Sequence, residues 1–265
     1  MKNQHRARKR FGQNFLHDDN VIDNIVAAIN PKPGERIVEI GPGLGALTEP
    51  LLRLCKHIDA IELDRDIIPK LAARCGEIGS LNIHSIDVLQ FDFSTIHTNE
   101  NQKLRIVGNL PYNITTPLLF HLLTQAEPIQ DMHFMVQKEV AERITAAAGG
   151  KNYGRLSIMI QHACATELLI HVGAEAFTPA PKVDSAVIRL TPHATPPWPV
   201  ADEKLFATIV RTAFSQRRKT IRNTLKEIAT AQQLEKVHID PCARPETITI
   251  KQYAELCNAL SNNSH

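Results

Sequence analysis

The stretch Glu35-Arg36-Ile37-Val38-Glu39-Ile40-Gly41-Pro42-Gly43-Leu44-Gly45-Ala46 decides the fold. Its first half is a short β-branched run, and its second half is a glycine loop that permits a tight turn and lets a ligand approach the backbone where a helix begins. An amphipathic segment, ALTEPLLRLC (46–55), follows, and HIDAIELD (57–64) is a second strand. The spacing predicts strand, helix, strand. The glycines also match the relaxed dinucleotide fingerprint, with Ala46 in the last place, so the loop alone does not separate a nicotinamide dinucleotide from S-adenosyl-L-methionine. A triphosphate loop is excluded, because no Lys-Ser or Lys-Thr follows the glycines.

Working outward, the alternation repeats. LNIHSID (81–87), LRIVGNLPY (104–112) and MHFMVQK (132–138) read as strands, and TPLLFHLLTQA (116–126) as an intervening helix. Such alternation predicts an α/β, Rossmann-like fold with a parallel sheet and helices on both faces. ELLIHVG (167–173) and SAVIRLTP (185–192) complete it as a late pair forming an antiparallel edge. TPHATPPWPV (191–200) holds four of the 16 prolines and reads as a linker. The expected domains are therefore 1–190 and a small helical domain, 201–265, short enough that it should pack against the first.

Composition narrows the function classes. With 43% apolar and 22% charged residues, and no apolar run near the about 18 that span a bilayer, the chain reads as soluble and globular. Its basic start is followed by FGQNFLHDD instead of an apolar secretory core, so a cytoplasmic location is expected. Five cysteines with no C-x-x-C pair give no disulfide framework and no zinc motif, and the 12 histidines show no ligand spacing, so no metal is assigned.

Charge is segregated. Of 30 basic residues, 11 lie in residues 1–12 and 211–226, which contain no acid; the remainder sets 19 against 28 acids, a net of −9. Arg8, Lys9 and Arg10 belong to the first stretch, and Arg217, Arg218, Lys219 and Arg222 to the second, where they read as one and a half helical turns. The pattern suits a polyanion such as nucleic acid, the alternative being a basic tail and a solvated helix face.

Three acids fall at predicted strand ends: Glu39 precedes the glycines, Glu62 ends the second strand and Asp87 ends the third. In a doubly wound sheet these ends line one crevice. There Glu62 could accept ribose hydroxyls, Asp87 an adenine amine, and Glu39 could lie near an ammonium; the alternative is that each is solvated or caps the next helix. The fourth strand ends in Asn109-Leu110-Pro111-Tyr112. An amine conjugated with adenine is a poor nucleophile, and two acceptors that bind its hydrogens favour the pyramidal, attacking form. The Asn109 side-chain oxygen and the Leu110 carbonyl could be those acceptors, with Pro111 stiffening the turn and Tyr112 stacking on the base. An ordinary proline turn is the bland alternative.

The chain resembles the ribosomal RNA adenine dimethyltransferases, most closely their bacterial small-subunit branch. The resemblance rests on ARKRFGQNFL (7–16), VEIGPGLGALT (38–48), IELDRD (61–66), GNLPYNITTPLLFHLL (108–123), DMHFMVQKEVAERI (131–144), YGRLS (153–157), FTPAPKVDSAVIRL (177–190) and AFSQRRKTIRN (213–223). It implies an S-adenosyl-L-methionine-dependent methyltransferase sheet with a helical rRNA-binding domain. The implied reaction is dimethylation of two adjacent adenosines near the 3′ end of 16S rRNA, in the 30S subunit or its late precursor, by a monomer. It further implies that Asn14 and Leu16 contact the cofactor, that Gly41 and Gly43 lie beneath it, that Glu62, Asp87 and Asn109 bind it, and that Phe177 is a second aromatic beside the target base. Relatives that act on large-subunit rRNA share the fold and the turn. An NAD-dependent oxidoreductase would leave the Asn-Leu-Pro-Tyr turn and the basic stretch without a reason, and a noncatalytic RNA-binding assembly factor is the remaining rival.

Overall fold

A computed structural model describes residues 13–97, 102–216 and 218–261. Among the described residues nine strands form: β1 (Phe15–Leu16), β2 (Arg36–Ile40), β3 (His57–Ile61), β4 (Ser80–His84), β5 (Leu104–Asn109), β6 (Ile129–Gln137), β7 (Cys164–Val172), β8 (Phe177–Thr178) and β9 (Ser185–Pro192). Seven of them make one sheet in the order β4-β3-β2-β5-β6-β9-β7, while β1 and β8 pair separately. The β2–β3, β3–β4, β2–β5 and β5–β6 ladders are parallel, and β9 runs antiparallel to β6.

Parallel strands buried on both faces need consecutive apolar residues. Ile37 and Val38, Ala60 and Ile61, and Ile106 and Val107 are all buried neighbours, as that requires. The helices bury one stripe each. In Thr48–Cys55 the buried residues are Thr48, Leu51, Leu52 and Cys55, the spacing of a single helical face. Asp18 starts helix Asp19–Ile29 by accepting the Val21 N–H at 3.0 Å.

The chain divides into two compact units, 1–141 with 167–192, and 142–166 with 193–265. The boundary therefore differs from the predicted one, since residues 142–166 group with the C-terminal helices. Tyr153 and Ile158 are buried in the cluster built by Phe206, Ile209, Val210, Tyr253 and Cys257, and the Tyr153 hydroxyl donates to the Ile248 carbonyl at 3.1 Å. The proline-rich stretch also packs rather than spanning free. Trp198 and Val200 lie against this second core, and Asn258 bonds the Pro199 carbonyl at 2.9 Å and the Ala201 N–H at 2.8 Å.

Two further expectations are corrected. The third predicted strand ends at His84, so Asp87 is not a strand terminus; it caps a single 3-10 turn, Val88–Gln90, accepting the Leu89 N–H at 3.0 Å. The basic run is not one helix either. Helix Glu203–Ala213 holds Arg211 in its last turn and ends there, a turn occupies residues 214–216 and 218–220, and Ile221–Thr224 is a separate helical turn.

Candidate active site

Strand order reverses at β2, and in such a sheet the crevice beyond the carboxyl ends of the strands is where ligands bind. There the first unit encloses a cavity of about 870 Å³. Its wall includes Asn14, Leu16, Glu39, Gly41, Gly43, Glu62, Asp87, Asn109, Leu110, Pro111 and Tyr112, so every predicted cofactor residue and the whole predicted turn meet at one place.

The glycine loop makes that convergence possible. Gly41 turns at φ +65°, with its N–H donating to the Ile61 carbonyl at 3.0 Å. Gly43, at φ +56°, has a second reason to lack a side chain, because a Cβ there would sit 3.3 Å from the Phe15 ring. The bare backbone lets the β1 segment close onto the loop. Arg74 holds the same loop from the helix behind it, donating to the Leu44 carbonyl at 3.0 Å and to Glu49 at 2.8 Å.

The acids occupy unequal environments. Glu39 is only 2% exposed, and burial pushes its carboxyl up to about 7, with the Thr48 hydroxyl alongside drawing it partly back and the Glu62 charge adding to the rise. Its Oε2 has no hydrogen-bond partner among the described residues. Glu62 is likewise raised by burial, although the Asp64 N–H donates to its Oε1 at 2.7 Å and opposes the rise. One carboxyl oxygen of Asp87 is committed to its turn.

The turn after β5 is fixed at each residue. The Asn109 Nδ2 donates to the Asn14 carbonyl at 3.0 Å, which orients the amide and leaves its oxygen as the acceptor. The Leu110 N–H donates to the Met135 carbonyl at 3.0 Å, and the Pro111 carbonyl accepts from the Ile114 N–H and the Thr115 hydroxyl, each at 3.1 Å. The Tyr112 hydroxyl lies 2.7 Å from that of Ser185 on β9.

Other predicted residues fall elsewhere. Phe177 pairs with Leu16, is 3% exposed and sits in the hydrophobic core, while its neighbour Thr178 is on the cavity wall. Arg218, Lys219 and Arg222 are in the second unit and all three are exposed, while Arg8, Lys9, Arg10 and Arg217 lie outside the described residues. Sequence reasoning missed Gln13, whose Nε2 donates to Asp64 at 3.0 Å, and Leu63, which lines the cavity while 49% exposed. Both stood in quoted motifs, one before Asn14 and one after Glu62. Among the described residues no group of three or more His, Cys, Asp or Glu is placed to hold a metal, and no helix is long and apolar enough to cross a membrane.

Comparison with known proteins identifies the family. Residues 4–262 match the family described as ribosomal RNA adenine dimethylase. The chain is 54% identical over 258 residues to the ribosomal RNA small subunit methyltransferase A of Pseudomonas aeruginosa, covering 97% of this chain and 96% of that protein. A dimethyladenosine transferase from Plasmodium falciparum superposes with a TM-score of 0.79 at 26% identity, covering 94% of this chain and 98% of that one. The 23S rRNA methyltransferase ErmE shares the fold, with a TM-score of 0.74 at 23% identity over 94% of this chain and all of that one. A glycine loop, its acids and an Asn-Leu-Pro-Tyr turn on one cavity, in a chain matched almost end to end, place this protein in the ribosomal RNA adenine dimethylase family.

Proposed function

We propose that this chain uses S-adenosyl-L-methionine to dimethylate the exocyclic amines of two adjacent adenosines near the 3′ end of 16S rRNA, within the 30S subunit or its late precursor in the cytoplasm. The observation that carries the reading is the single cavity on which Glu39, Glu62 and Asp87 meet Asn109–Tyr112.

The residues present fit the cofactor. The unpartnered Oε2 of Glu39 belongs to a buried carboxyl that the ammonium of the methionine end would hold ionised, and the glycine loop would let that end approach the backbone. Glu62 would accept the ribose hydroxyls, Asp87 the adenine amine, and Asn14 and Leu16 would contact the cofactor from the β1 segment that lines the same cavity. When bound, the cofactor supplies a sulfonium methyl group. The chain's own contribution to transfer is positional. The Asn109 amide oxygen, aimed by the Asn14 carbonyl, and the Leu110 carbonyl would accept the two hydrogens of the target amine and concentrate its lone pair on nitrogen. Tyr112 would stack on the base, and Arg218, Lys219 and Arg222 would meet rRNA phosphates.

Labelled methyl incorporation into unmethylated 30S particles, 50S particles and naked rRNA tests the reading. Incorporation into 30S particles is expected. Transfer confined to 50S particles would favour a 23S rRNA methyltransferase, as ErmE is, and no transfer with tight NAD binding would overturn the methyltransferase assignment.

A further inference from the structure

From the pairing of two hydroxyls behind the turn, we infer that Ser185 is a positioning residue for methyl transfer, holding the Tyr112 ring in the place where it receives the target base. The inference rests on the reading of Tyr112 as that base's platform. Tyr112 stands in a turn rather than a ladder, so the backbone around it does not fix where its ring points. The ring's far end is fixed instead by the 2.7 Å contact between its hydroxyl and the Ser185 hydroxyl. Ser185 can serve as an anchor because its own backbone is held. It opens β9 opposite Gln137 of β6, and the neighbouring Asp184 carbonyl accepts the Lys138 N–H at 3.0 Å.

The residue type supports the assignment. Ser185 is 0% exposed and begins a strand that continues Ala186, Val187, Ile188, where an alanine would fill the core without burying a polar group. A buried hydroxyl costs stability unless it is bonded, and the Tyr112 hydroxyl is the partner it has among the described residues. The phenol oxygen lies on the axis from Cβ through the ring, so anchoring it sets the first side-chain torsion and with it where the ring stands; a ring already in place needs less reorganisation when the base arrives. Ser185 itself touches no substrate; it acts through Tyr112.

Three variants, Ser185→Ala, Tyr112→Phe and the double substitution, separate positioning from packing. Single-turnover transfer to unmethylated 30S particles at saturating cofactor should fall about tenfold in Ser185→Ala, a size consistent with slight misplacement of a reacting group. Tyr112→Phe, which keeps the ring and loses the anchor, should fall by a similar factor, and the double variant no further than either single one. Cofactor affinity by calorimetry and the thermal midpoint of Ser185→Ala should stay near wild type, whereas a merely structural role would lower the midpoint and leave the rate per folded molecule unchanged. A rate within twofold of wild type in Ser185→Ala or in Tyr112→Phe, or losses that multiply in the double variant, overturns the inference. If Ser185→Ala does not fold, Tyr112→Phe alone decides. Wild type acts as the control for the underlying reading: no transfer by wild type refutes that reading, while normal transfer by wild type and Ser185→Ala alike refutes only the role of Ser185.

Discussion

Replacing Glu39 by glutamine should change how the cofactor-free protein's stability depends on pH. Burial raises this carboxyl from 4.5 to about 7, and among the described residues its electrostatic neighbours are Thr48 and the like charge of Glu62. The sign follows from proton counting. Between 4.5 and about 7 the folded state holds a proton that the unfolded chain has released, so stability is highest below this window and falls as pH rises through it. One pKa unit corresponds to about 1.4 kcal/mol, so the ionised carboxylate costs the fold roughly 3 kcal/mol above neutrality. Glutamine keeps the shape and carries no charge at any pH. Urea denaturation at several pH values between 5 and 8 should therefore show the variant gaining roughly 3 kcal/mol relative to wild type across that range. A cationic ligand group beside Glu39 restores the carboxylate, so cofactor affinity of wild type should rise with pH over the same window while that of the variant stays flat. Parallel stability curves for the two proteins would refute the reasoning, because they would mean that Glu39 is hydrated or already compensated.

Glu62→Ala should weaken S-adenosyl-L-methionine binding by roughly 1.5 to 3 kcal/mol, the scale of a lost charge-assisted hydrogen bond, with RNA affinity little changed; calorimetry showing normal cofactor binding would remove it from the site. Asn109→Ala should slow single-turnover methylation by on the order of 100-fold at saturating cofactor, through lost acceptor strength and orientation. A rate within a few-fold of wild type would take Asn109 out of the mechanism. Neutralising Arg217, Arg218 and Arg222 together should weaken binding to 30S particles and make the salt slope shallower by about two to three units, each phosphate contact contributing near one counterion. An unchanged salt dependence would leave these arginines as solvated surface.

The sheet and the cavity are legible in the sequence because parallel strands and a glycine loop carry their signals locally. Consecutive buried β-branched residues such as Ile37 and Val38, and the glycines at 41 and 43, declare a strand and its turn within a dozen positions. What escapes is set by distant pairing. Nothing near Phe15 or Phe177 announces that two-residue strands far apart in the chain will pair, yet that pairing sets Phe177 opposite Leu16, and both are buried in the core. The Arg155–Ala163 helix has the period of an ordinary crossover helix, and only its contacts with Phe206 and Tyr253 assign it to the second unit. Asp87 is legible as a lining residue but not in its backbone setting, since an aspartate's preference for capping ends the strand three residues earlier. Ser185 is hidden for a simpler reason: a serine in an apolar strand shows its purpose only once its partner is in view.

The central claim, that one cavity joins a methyl donor to the amines of neighbouring adenosines in small-subunit rRNA, is tested most directly by position. Unmethylated 30S particles incubated with the protein and labelled S-adenosyl-L-methionine can be digested to nucleosides and oligonucleotides and read by mass spectrometry. The account predicts N6,N6-dimethyladenosine at two adjacent positions near the 3′ end of 16S rRNA, lost in Asn109→Ala. Label on another base, at the ribose, or at scattered adenosines would contradict it.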